Sequence, residues 1–122
     1  MEKIPILKIN DCLLVSIQVD LYDQLAIDLQ NDLLIKVKET KAKGVLIDIS
    51  GLTIVDSFMG HILYQITKVT RLMDATTVVV GMQPAVAITL VELGMDLAGI
   101  HTALNVDKGF QWLRQHLSGV GS

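Results

Sequence analysis

The change of apolar period between Lys43 and Gly60 constrains the fold of this chain more than any other feature. Val45, Leu46, Ile47 and Ile49, interrupted only by Asp48, form the short apolar run of a buried strand. Ser50-Gly51 breaks that run. From Ser57 the apolar residues recur at helical spacing, so that Met59, Ile62, Ile66, Val69 and Met73 share one stripe and Ser57, His61, Tyr64, Lys68 and Arg71 share the opposite one. A β-branched strand follows at Thr76 to Val80. Strand, helix and strand in that order make a right-handed parallel crossover, which places the chain in the α/β class.

The flanking segments extend this unit. Ile4 to Ile9 and Cys12 to Val19 read as two strands joined through Asn10-Asp11, a tight hairpin that starts an antiparallel edge. Tyr22, Ala26, Leu29, Leu33 and Val37 form the core-facing stripe of a first helix, with Asp23, Asp28, Lys36, Lys38 and Glu39 on its wet side. Ile27, Leu34 and Ile35 fall outside the stripe and are candidates for part of a subunit contact. Gly81 ends the Thr76 strand, Pro84 suits the first turn of another helix, and Gly94 suits the position past its end. Ala85 to Leu93 is apolar except for Thr89 and Glu92, so this helix needs cover on two sides, from the sheet and from either the last helix or a neighbouring subunit. Ile100 to Ala103 reads as a final strand. Asn105 then caps a helix with the stripe Val106, Phe110, Leu113 and Leu117, and Trp112 lies off that stripe, on the surface or under a partner. The expectation is one domain over residues 1–118 with a flexible tail at 119–122. Its fold is a mixed sheet of four or five strands with about four helices mainly on one face.

Composition narrows the function classes. A formal net charge of −3 with no basic block argues against direct nucleic-acid binding. The chain is 51% hydrophobic with a mean hydropathy of +0.50, so apolar surface is expected to be buried against other subunits. The uncharged run Ala75 to Val91 is divided by Gly81, Gln83 and Pro84 and does not read as a membrane span, and the opening does not read as a leader, so the expected location is cytoplasmic. Cys12 is the single cysteine, which leaves no intramolecular disulfide and suggests a buried, inert thiol.

Asp56 and Ser57 sit where a strand hands over to a helix, at the end that gathers unpaired N–H groups and positive dipole. Both are ordinary capping residues. The same place also suits a phosphate on the serine hydroxyl. A Ser57–His61 pair, four residues apart on one face, would be the start of a small hydrolase, but no third group is evident to orient the imidazole. Asp56 with His61 lacks further spaced ligands for zinc, and His101 and His116 read as isolated. No phosphate loop with its lysine is present. The residues therefore point to a non-catalytic module that needs no cofactor or metal.

Asp48-Ile49-Ser50-Gly51, four further residues, then Asp56-Ser57 with Gly60 close behind, resembles the phosphorylation loop of STAS domains, the family of anti-sigma-factor antagonists. Ile4 to Leu21, Asp56 to Gly60 and Gly81 to Leu97 together look like the RsbS branch of that family, the scaffold and antagonist subunit of the bacterial stressosome. The chain departs from many antagonists in placing Phe58 and Met59 between the serine and the glycine. The resemblance implies phosphorylation of Ser57, sequestration of an RsbT-like serine kinase, assembly with RsbR-type STAS paralogues, and self-association into a large oligomer. Asp56, Ser57, His61, Tyr64, Lys68 and Arg71 are the expected partner-binding residues, because they run along one helix face from the phosphorylation loop. A simple antagonist binding a single anti-sigma kinase is the alternative, and the Ser57–His61 hydrolase a more distant one.

Overall fold

Strand and helix follow each other in the computed structural model as β1 (Ile6–Ile9), β2 (Cys12–Ser16), α1 (Asp23–Thr40), β3 (Gly44–Asp48), α2 (Ser57–Leu72), β4 (Thr76–Val80), α3 (Pro84–Glu92), β5 (His101–Ala103) and α4 (Val106–Gly121). The structure describes residues 4–18, 22–94 and 100–121, with only the backbone described over 118–121. The strands form one mixed sheet in the order β1-β2-β3-β4-β5. β1 and β2 are the antiparallel pair, turning at Asn10, whose φ of 54° a short polar side chain tolerates. The remaining pairs are parallel, in a register that aligns Val15 with Ile47, Ile47 with Val79, and Val79 with Thr102.

Successive residues of a strand point to opposite faces, so the central strands feed two cores. Leu13, Val15, Val45, Ile47 and Val79 face a layer built from α1, α2 and α3, in which Leu29, Leu33, Ile62, Ile66, Val86 and Leu90 are buried. Leu46, Val78 and Val80 face the other way and are covered by α4 through Leu113, with Val106, Phe110 and Leu117 at the margin. The expected mixed sheet with helices mainly on one face is the architecture found. Among the described residues no helix is long and apolar enough to cross a membrane.

Several local expectations change. Tyr22 is 55% exposed, because it occupies the extended N-cap position before α1, and Leu25 takes the buried place. β2 ends at Ser16, although Ile17 still donates to the Asp48 carbonyl; Val19 lies outside the described residues. The buried face of α2 is rotated from the expected stripe. Leu63, Thr67 and Thr70 are buried, whereas Val69 and Met73 are half-buried. Thr67 donates to the Tyr64 carbonyl and Thr70 to that of Ile66, and Thr70 also meets the Thr77 hydroxyl at 2.7 Å, so these side chains enter the core with their polar atoms paired. α4 lies on the opposite face of the sheet and does not cover α3, leaving Ile88 and Val91 exposed. Its backbone is helical to Gly121. Trp112 has neighbours within the fold. It is half-buried between His101, centroid to centroid 4.3 Å, and His116, 3.7 Å and stacked, so those two histidines are not isolated.

Cys12 is half-buried, not buried. Desolvation, with a smaller contribution from Asp11, raises its thiol pKa, so less of it is thiolate at a given pH. Iodoacetamide at pH 8 is expected to label Cys12 more slowly in the native protein than in urea. Equal rates, read by mass spectrometry, would contradict the burial.

Candidate functional site

The connection from β3 to α2 is held at several points. Ile49 donates to the Val80 carbonyl and Leu52 to that of Ile49, which extends the sheet contact into a tight turn. Inside that turn the Asp48 carboxylate accepts from the Ser50 N–H at 2.9 Å, and the Gln83 amide donates to the Ser50 carbonyl at 2.9 Å. Gly81 lies against the same turn with φ +74°. A Cβ there would meet the Ser50 Cβ at 2.8 Å and the Asp48 carboxylate at 3.0 Å, so only glycine suits both the conformation and the space. Leu52 and Val55 are buried, while Ile54 between them is 73% exposed. The segment is thus pinned by two apolar anchors and presents its tip to solvent.

Asp56 ends the segment in extended backbone and is the N-cap of α2, its carboxylate accepting from the Met59 N–H at 2.8 Å. Ser57 is the first helical residue and is exposed. Its hydroxyl therefore stands at a helix N-terminus, where backbone N–H groups and the dipole favour negative charge. Asp56→Ala is expected to cost about 1 kcal/mol in urea unfolding, within the roughly 0.5–2 kcal/mol of lost caps. Asp56→Asn should cost much less, since its amide oxygen still accepts from Met59. Equal losses would remove the cap from the account.

The other predicted residues follow along the helix. His61, Lys68 and Arg71 are exposed and Tyr64 is half-buried. The Lys68 Nζ sits 5.0 Å from the Tyr64 ring centroid, a cation–π distance, and Arg71 falls in the last turn, where a cation complements the dipole. The structure thus brings all six predicted residues onto one face of α2 and its cap. Among the described residues no hydrogen bond orients the His61 imidazole, and no group of three His, Cys, Asp or Glu side chains could hold a metal ion. A shallow pocket of about 290 Å³ opens at the carboxyl ends of β3, β4 and β5, lined by Asp48, Ser50, Gly81 and Leu104 to Asp107.

Sequence reasoning missed Gln83 and the pair Leu52 and Val55. The two apolar anchors were visible as the loop's aliphatics, but Ile54 has the same character and the opposite exposure. Gln83 acts across the fold and carries no local signal.

The STAS domain family matches this chain over residues 3–109. A solved structure of Moorella thermoacetica RsbS, in a serine-to-glutamate variant, superposes with a TM-score of 0.88 at 40% identity, covering 96% of this chain and 99% of that one. A chain from the molecular architecture of the stressosome, described as a signal integration and transduction hub, superposes with a TM-score of 0.83 at 43% identity, covering 92% and 97%. The RsbT co-antagonist protein RsbRA of Bacillus subtilis is 35% identical over 83 residues, 68% of this chain. The matched part spans only 30% of that relative's length.

Proposed function

We propose, since this chain belongs to the STAS domain family, that it is a non-catalytic scaffold and antagonist which assembles with RsbR-type paralogues in the cytoplasm and holds an RsbT-like serine kinase until Ser57 is phosphorylated. Likeness to RsbS and to a stressosome chain over nearly the whole length supports the scaffold and antagonist role. The finer reading rests on one observation above all. Ser57 is an exposed hydroxyl at a capped helix start, on a loop fastened at Asp48, Leu52, Val55 and Gln83. A kinase can reach it, and a phosphate placed there meets a favourable dipole. That a relative is named a co-antagonist of RsbT supports the choice of kinase, and similarity to that relative supports RsbR-type partners. A serine hydrolase would need an oriented base, and the exposed His61 has none among the described residues.

Light scattering on the chain, an RsbR-type paralogue and an RsbT-like kinase, alone and mixed, tests the proposal. A large complex that contains kinase and releases it after phosphorylation is expected. A chain whose size is indifferent to the paralogue, yet which binds one kinase, would favour the simple antagonist. Ester or ATP hydrolysis abolished by both Ser57→Ala and His61→Ala would overturn the non-catalytic reading.

A further inference from the structure

We propose that the outward face of α1 is a two-fold contact between copies of this chain, with the two helices antiparallel and Asn31 on the axis. The helix turns Leu25, Ala26, Leu29, Leu33 and Val37 into the core. At about 100° per residue, Asn31 lies diametrically opposite that buried stripe. Ile27 and Ile35 stand four residues before and after it, 37% and 55% exposed. Gln24, Ile27, Asn31, Leu34 and Lys38 recur at alternating spacings of three and four, the seam of helices that cross at a shallow angle of about 20°.

The face is close to self-complementary about its centre. A two-fold axis through Asn31 sets Ile27 of one copy against Ile35 of the other at both ends of the contact, and an isologous interface requires such reciprocity. The Asn31 amide carries both donors and an acceptor, so it can pair with its own copy across the axis. Charge selects the direction. Asp23 and Asp28 are the charges of the first half of α1, whereas the second half balances Asp32 and Glu39 with Lys36 and Lys38. Antiparallel packing sets the acidic half against the balanced one, and parallel packing sets it against itself. Gln24 already holds the Asp28 carboxylate at 2.9 Å, at the end where Lys38 of the other copy would arrive.

Five seam positions per copy fall short of the roughly 20–30 residues per side of a standard interface. The pair is therefore weak by itself and is recruited when other contacts hold copies close. This surface deepens the assembly half of the proposed function and is independent of Ser57.

Disulfide capture in a Cys12→Ser background tests it, with the paralogue present and absent. Asn31→Cys should form a disulfide dimer under mild oxidation at least about tenfold faster than Gln65→Cys on exposed α2, because only the former brings two equivalent Cα atoms within bonding range. Ile27→Cys mixed with Ile35→Cys should give the mixed dimer several-fold faster than either alone, since like residues would lie about 12 Å apart along the axis. Lys38→Glu should slow the Asn31→Cys reaction at low salt, and adding Asp28→Lys should restore it. Asn31→Cys coupling no faster than Gln65→Cys, or Ile27→Cys alone as fast as the mixture, overturns the contact. Light scattering on the same samples reads the scaffold reading separately: a large complex without Asn31→Cys coupling overturns the α1 contact alone.

Discussion

Phosphorylation of Ser57 is expected to weaken binding of an RsbT-like kinase by about a hundredfold while leaving the fold in place. The modification adds about −1.5 to −2 charges next to Asp56, whose carboxylate is already engaged with the Met59 N–H. In the free protein that charge is solvated, and the helix start offers it about 0.3–1 kcal/mol. Under a docked kinase the same charge loses its water, and an uncompensated buried charge costs several kcal/mol. About 3 kcal/mol corresponds to roughly a hundredfold in affinity. Ser57→Ala should keep the kinase bound under phosphorylating conditions. Ser57→Asp should weaken binding only in part, with one charge and two acceptor oxygens against a phosphate's larger charge and three. Calorimetry at matched salt on unmodified, phosphorylated and Ser57→Ala protein measures this. Equal affinities would eliminate the switch, and a changed circular-dichroism spectrum on phosphorylation would eliminate a local mechanism.

Ile66→Ala should produce the largest loss of stability among simple changes to the site-bearing helix. Ile66 is 0% exposed and packs α2 onto the sheet from the side away from the predicted docking face. Truncating a buried isoleucine costs about 2–5 kcal/mol, a large part of the roughly 5–15 kcal/mol that holds a domain together. Thermal unfolding should fall by about 10 °C or more. Gln65→Ala, one position away and exposed, should stay within about 0.5 kcal/mol. The folded fraction of Ile66→Ala should bind kinase normally, because the outer stripe is untouched. A loss of affinity with stability intact would place Ile66 in the recognition surface instead.

Local chemistry made much of this fold readable in advance. The β-branched run Thr76 to Val80 is β4 to the residue, and the punctuation by Pro84 and Gly94 brackets α3 because each acts through its own backbone geometry. Asn105 caps α4, as its place before the apolar stripe suggested, by accepting from the Lys108 N–H. What stayed hidden depends on partners far along the chain. Periodicity counts threonine as polar, yet Thr70 is buried because its hydroxyl finds Ile66 behind it and Thr77 on β4. Helical angle set Trp112 apart from the apolar stripe, but the imidazole of His101, on β5, gives it cover that no angle within α4 reveals, and His116 stacks on it from one turn further along. At the site, the face from Ser57 to Arg71 was legible as a stripe. The bracing of Ser50 by Gln83, thirty-three positions on, was not.

Both free edges of the sheet are short, four residues at β1 and three at β5, and β1 carries the exposed Lys8 in its middle. A ladder that brief gives an incoming strand few hydrogen bonds, and a charged edge residue discourages even those. A chain with this much apolar content can therefore be crowded without polymerising strand upon strand into fibrils. In the proposed assembly growth is left to helix surfaces, and a helix surface that closes on a symmetry axis ends in a particle of finite size.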